Sequence, residues 1–420
     1  MRLNDDNSRW WTLGAMCFAL FMIMLDNTVV NVALPSIQRD LEASLSGLEW
    51  TVNAYTLSFA VLLVTGGRLG DLYGRRRMFL FGVVVFAGSS AAIGFSPSDA
   101  WLVAGRAVQG VGAAFMMPAT LSILTHAFPA EERGRAIGTW AGVSALALAI
   151  GPVVGGALTE YVSWRAIFFL NLPVAAVAVL VTLFAVRESR DELVDRTVDW
   201  PGIAVLTTGL GALVVALVEG NRWGWGSSRV LGLLVLAAAG LVAFALIEPR
   251  VRAPIVDFTF FRSRTFLGAN LAAFLVSFAM FAMFFFLALY MQNILGYSPV
   301  EAGVRFLPAT LMVIVTAPVA GRLADRVGSR RLMAAGLTLV AIALALTTRI
   351  GDATGYGPLF PAFVVMGVGL GLTMSPMSRA AMNAVNVNKA GVASGILSMN
   401  RMVGATFGVA ALGALFQHEL

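Results

Sequence analysis

Two charged side chains stand where charge is expensive. Asp26 falls inside an apolar run, in Leu25-Asp26-Asn27-Thr28-Val29-Val30-Asn31, and Arg106 inside another, in Gly105-Arg106-Ala107-Val108-Gln109-Gly110. An ionised group in hydrocarbon is costly unless it is paired or faces water. Read as membrane-spanning helices, the two runs place Asp26 about 12 Å and Arg106 about 8 Å from the same membrane face, at about 1.5 Å per residue. Comparable depth would allow a direct or water-bridged pair. A carboxylate governed by burial and a movable arginine can load and release a proton. The plainer alternative is a static ion pair that fixes the bundle. Asn31, Gln109 and, in the last apolar run, Arg401 are further polar candidates for lining a cavity.

A second pattern is charged and repeated. Gly67-Arg68-Leu69-Gly70-Asp71-Leu72-Tyr73-Gly74-Arg75-Arg76-Arg77 separates two apolar runs, and Gly321-Arg322-Leu323-Ala324-Asp325-Arg326-Val327-Gly328-Ser329-Arg330-Arg331 separates two more. Both read Gly-Arg-Leu-small-Asp, then glycine, then arginines, which suggests two related halves. The glycines do not have phosphate-loop spacing, and no Lys-Ser/Thr follows. The reading is a latch at a membrane surface. Asp71 and Asp325 can cap or neutralise a helix end, and Arg75 and Arg76 can bind carboxylates of the opposite half. Retention of positive charge on one side of the membrane is the simpler explanation. Gly151-Pro152-Val153-Val154-Gly155-Gly156 would kink a helix and permit close helix contact. Alone, such a stretch is more often a packing device than a site. Glu49 and Glu219 fall at run ends and read as solvated boundary charges, with a substrate ligand as the alternative.

These residues need helices that cross a bilayer. The 420 residues are 58% hydrophobic and only 12% charged, with a mean hydropathy of +0.82. Apolar runs of about 20 residues recur, each long enough to cross about 30 Å of hydrocarbon, and they lack the alternation of barrel strands. Spans are expected at roughly 11–34, 48–66, 78–96, 101–125, 136–160, 166–186, 200–219, 230–248, 266–291, 302–320, 332–349, 358–378 and 391–416. No cleavable signal is evident. With the N-terminus in the cytoplasm, about 21 arginines and lysines lie inside and about 6 outside, leaving Arg106 and Arg401 within spans. That distribution explains the net charge of +6 without nucleic acid. Cys17 alone cannot build a disulfide framework, and two scattered histidines do not make a metal site.

The expected organisation is an N-terminal transmembrane bundle over 1–190, two inserted helices with linkers over 191–261, and a C-terminal bundle over 262–420. Only about five spans fit the last segment, so a sixth is expected to be missing. The fold class is an all-α polytopic membrane protein: two pseudo-symmetric six-helix bundles with two extra helices between them.

Taken together, the sequence resembles the major facilitator superfamily, and within it the fourteen-span drug:proton antiporter branch. The Gly67–Arg77 turn is similar to that superfamily's loop between spans two and three. Leu25-Asp26 through Pro35 resembles the branch's span-one motif, and Arg106-Ala107-Val108-Gln109-Gly110 its span-four motif. Gly151 through Gly156, with Gly138 upstream, resembles the antiporter motif of span five; Ala147 stands where a glycine is often found. Trp164-Arg165 and Phe168 through Pro173 fit the same branch. The resemblance implies alternating access, Asp26 and Arg106 in proton coupling, and an amphipathic, often cationic cargo. It also implies a proton gradient in place of any cofactor, and function as a monomer in the cytoplasmic membrane. An importer of a small metabolite and a non-transporting sensor or scaffold are the rival classes.

Overall fold

The computed structural model describes residues 5–190, 199–251, 254, 256–348, 355–385 and 390–419. These contain thirteen helices long and apolar enough to cross a membrane. In chain order they are α1 (Asp5–Leu41), α2 (Leu45–Tyr73), α3 (Arg75–Gly94), α4 (Asp99–Ala127), α5 (Ala130–Tyr161), α6 (Ala166–Ala185) and α7 (Trp200–Trp223). Then follow α8 (Ser228–Ile247), α9 (Arg264–Leu289), α10 (Leu307–Val327, led in by a short helix Pro299–Arg305), α11 (Ser329–Thr347), α12 (Leu359–Asn383) and α13 (Ala390–Glu419). Each of the thirteen apolar runs has become one of these helices. In hydrocarbon only a helix or a closed barrel satisfies every backbone group internally. Serine or aspartate starts several of them: Ser44, Ser98, Asp199, Ser227 and Ser263 accept from a backbone N–H in the first turn.

The helices outrun the apolar runs, because hydropathy reports the hydrocarbon portion and not the polar turns beyond it. The charged Gly67–Arg77 stretch is the clearest case. It is not a loop: α2 continues to Tyr73, α3 begins at Arg75, and Gly74 alone connects them. Gly74 has φ 113°, and its N–H donates to Gly70 O at 3.0 Å. Only glycine enters that region without strain, so the chain reverses in one residue. Gly328 does the same between α10 and α11, with φ 87° and an N–H bond to Ala324 O at 3.1 Å.

Helices α1–α6 form one block, with α2 against α4, α3 against α4 and α1 against α5. Helices α9–α13 form a second, with α11 against α12, α10 against α12 and α9 against α13. Tight crossings use glycine: Gly82 and Gly112 face each other across α3 and α4, where a Cβ on either would meet the other's carbonyl. The blocks meet along two flanking seams, α2 with α13 and α5 with α10 and its lead-in, and α1 also packs on α9 between them. Helix α7 lies over the first seam and touches both α2 and α13. The phenylalanines of α9 are core: Phe281, Phe284 and Phe285 are buried, and Phe284 stacks on Phe306 at 4.7 Å.

Candidate proton-coupling site

Asp26 and Arg106 meet directly. Arg106 Nη1 lies 2.5 Å from Asp26 Oδ2, and the side chains are 2% and 1% exposed. Arg106 also donates to Gln109 Oε1 at 2.6 Å and, through Nε, to the Thr51 carbonyl at 3.0 Å. Its guanidinium lies 4.2 Å from the centre of the Tyr55 ring. Gln109 returns its amide to Asp26 Oδ1 at 3.0 Å and to Ser90 Oγ at 2.7 Å, and Asn171 Nδ2 donates to the same Ser90 at 3.0 Å. Five helices, α1, α2, α3, α4 and α6, therefore converge on one carboxylate. Gln109 sits one turn after Arg106 on α4, so both aim at α1. A desolvated pair is tolerated when hydrogen bonds support it. Here each Asp26 oxygen accepts one, and Arg106 donates through Nη1 and Nε, while the Tyr55 hydroxyl is buried without a partner among the described residues.

The polar candidates are not all alike. Gln109 is fully buried and held by Asp26 and Ser90. Asn31 is buried, and its amide donates to Asn27 O in its own helix. Arg401 lies in α13, away from this network; its Nε is buried with no hydrogen-bond partner, while the residue keeps some solvent contact. Ser90, Thr51 and Tyr55 belong to the network although no motif singles them out, and Asn171 belongs to it from within the Phe168–Pro173 motif, which assigns it no role. The available signal was their polarity inside apolar runs.

The glycine-proline segment joins this network to the other block. A Cβ on Gly151 would strike Thr28, and one on Gly155 would strike Val29, so this face of α5 rides on α1 just beyond Asp26. Gly156 faces the Pro299 backbone, and Gly303 faces the Pro152 backbone in return. Around that crossing the blocks are closed on the face opposite the N-terminus. Val300 N–H donates to Glu160 at 3.0 Å, Gln292 to Val32 O at 2.7 Å and Asn293 to Gln38 at 3.3 Å.

On the N-terminal face the turn residues bond within their own block. Arg75 binds Asp71 at 2.8 Å. Arg76 donates to Leu183 O at 2.8 Å, and Glu188 accepts from the backbone N–H groups of Arg76 and Arg77. Gly67 packs on Pro118. In this conformation the first charged turn is stitched to the end of α6. Asp325 is in the last turn of α10, but its side chain lies outside the described residues. Glu49 and Glu219 are corrections: both are buried. Glu49 is enclosed because its carboxylate fills the space beside Gly413 of α13. Glu219 is enclosed because it accepts from Trp50 Nε1 at 3.1 Å, with Arg222 3.6 Å away.

With this geometry in view, a family model described as Major Facilitator Superfamily matches residues 16–409. The chain belongs to the major facilitator superfamily. A tetracenomycin C resistance and export protein of Streptomyces glaucescens is 38% identical over 406 residues, covering 97% of this chain and 76% of that one. A puromycin resistance protein of Streptomyces alboniger is 39% identical over 415 residues, covering 98% and 82%. Among solved structures, a peptide transporter in complex with sulfate superposes with a TM-score of 0.68 at 16% identity, over 97% of this chain and 94% of that one. That likeness concerns the fold alone. As a member of the major facilitator superfamily, the chain is a multi-pass membrane transporter and not an enzyme.

Proposed function

We propose that the chain is a proton-coupled antiporter of the fourteen-span drug-export branch, moving amphipathic small molecules outward across the cytoplasmic membrane. The observation that carries this reading is the Asp26–Arg106 pair, buried at 1% and 2% exposure at a five-helix junction. A transporter has a use for so costly a group; a scaffold has none. The names of the relatives above support export over import.

In this reading the N-terminus is cytoplasmic, the protein works as a monomer, and the proton gradient is the only energy source. Protonating Asp26 removes its charge and frees Arg106. Val32, whose carbonyl holds Gln292 of the other block, is six residues along α1 from Asp26, or about 9 Å. Release at Asp26 is thus felt at the outer closure, both along α1 and through Gly151 and Gly155 of α5. Rocking of one block against the other then exchanges the open face. On the cytoplasmic side, Asp71, Arg75 and Arg76 exchange their present partners for groups of the opposite block when that face closes.

The test is reconstitution in liposomes with an imposed pH gradient and a lumenal pH dye. Proton movement should require both an added amphiphile and Asp26, and should vanish in Asp26→Asn. Equal cargo-dependent proton flux in folded Asp26→Asn protein would remove the mechanism.

A further inference from the structure

The structure assigns to Arg401 the anionic end of the cargo: we infer that this transporter carries amphipathic weak acids, bound through an ionised carboxylate or phenolate. The inference rests on the export reading above and names its substrate class.

Three observations lead there. Arg401 is eleven residues into α13, about 16 Å along the helix and close to half the hydrocarbon thickness. It has no ion pair, hydrogen bond or ring contact among the described residues. Its own block offers no acid within an apolar run: from Arg262 onward the acidic residues are Glu301, Asp325, Asp352 and Glu419, all outside those runs in the sequence. In the other block Asp26 is occupied by Arg106 and Gln109. The mid-membrane charge is therefore neutral in the first block and +1 in the second. An unpaired guanidinium at that depth is retained at a cost, and its planar fork matches a carboxylate.

The neighbouring residue fixes the frame around Arg401. Asn400 Nδ2 donates to the Asn270 carbonyl at 2.7 Å, joining α13 to α9 at this level. Asn270 Nδ2 is used by Phe266 O, but its Oδ1 is buried with no donor. Asn400 and Asn270 thus fix α13 against α9 at the level of Arg401. Phe274, against which Gly404 packs, continues the same α9–α13 contact one turn further. A lipophilic cation bound beside Arg401 would meet a like charge, which weighs against the cationic cargo implied by resemblance.

The test uses one apolar body with three charges: pyrenebutyrate, pyrenebutyramide and a pyrenebutyl-trimethylammonium salt. Binding to the full chain in nanodiscs is read by pyrene fluorescence, with empty nanodiscs as background. The carboxylate should bind about tenfold or more tighter than the amide, as expected for charge-assisted hydrogen bonds, and the ammonium weakest. In Arg401→Gln the carboxylate should fall to within about twofold of an unchanged amide, while Arg401→Lys, a point charge without the fork, should keep part of the preference. Ammonium binding as tight as the carboxylate in the wild-type protein overturns the inference, as does a preference that survives Arg401→Gln. If Arg401→Gln does not fold, the wild-type ratio and Arg401→Lys still decide. Binding needs no gradient, so the two readings fail separately. Loss of coupled flux with the preference intact would sink antiport alone, and coupled flux without the preference would sink this inference alone.

Discussion

Arg106 and Arg401 lie in opposite blocks and have opposite surroundings. Arg106 has a carboxylate at 2.5 Å, an amide oxygen at 2.6 Å, a backbone carbonyl at 3.0 Å and a tyrosine face at 4.2 Å. Arg401 has no such partner among the described residues. The first is built into the protein, and taking away its partner should be destructive. The second carries an unmet desolvation cost in the resting protein, and taking away its charge should be harmless to the fold. The difference teaches that a charge in a membrane span is read by its company: a saturated one holds and couples, an unsaturated one waits for something that arrives from outside.

Breaking the saturated side should give the largest effect. Arg106→Leu leaves Asp26 buried and unpaired, and should cost about 3–5 kcal/mol, visible as a marked drop in thermal unfolding temperature in detergent. Arg401→Gln should leave that temperature unchanged or higher. If the two variants lose stability equally, the contrast between the blocks is gone.

The contact between the blocks can be sharpened next. Gly156 and Gly303 each face a backbone of the opposite block, so Gly156→Ala or Gly303→Ala should overpack the crossing by about 1–3 kcal/mol. Disulfide formation between cysteines placed at Glu160 and Val300 should fall in either background; an unchanged yield would mean that the crossing does not hold that face shut.

Smaller effects probe the turn and the seam. Asp71 and Arg75 form an i,i+4 pair that is partly exposed, so Asp71→Asn should change stability by less than about 1 kcal/mol. Its transport should nonetheless fall, since the latch forms only when the cytoplasmic face closes; unchanged flux would remove the latch. Thr56 and Thr406 share a hydroxyl hydrogen bond at 2.7 Å across the α2–α13 seam. A double-mutant cycle with valine at each should give a coupling of about 0.6 kcal/mol; a coupling of zero would mean that this seam is held by packing alone.

Most of the architecture was legible because the bilayer dictates it: thirteen apolar runs give thirteen helices. Depth counted along α1 and α4 was enough to bring Asp26 and Arg106 to one level. What it could not supply was rotation about each helix axis. Gln109 therefore reads as cavity-lining in the sequence, whereas its place one turn after Arg106 turns it onto Asp26. The same blindness hid the roles of Ser90 and Asn171, small polar residues on otherwise largely apolar helices. Glu49 and Glu219 misled for another reason. A position at the end of an apolar run predicts solvent only if no other helix covers it, and α13 covers Glu49 while Trp50 of α2 covers Glu219.

Helix α7 decides which side of the transporter the lipids can reach. Val214 and Val218 pack against Ala410 of α13 with Trp50 and Leu57 of α2, Trp50 donates to Glu219, and Asn221 donates to the Ala414 carbonyl. The α2–α13 seam is therefore paved over, and α8, mostly exposed, gives that paving an outer layer. The α5–α10 seam has no such cover among the described residues. Lipid therefore lies directly against the α5–α10 seam and is held off the α2–α13 seam by the inserted pair. A chain with a spare pair of helices thus becomes lopsided toward its own solvent, bare on one flank and double-walled on the other.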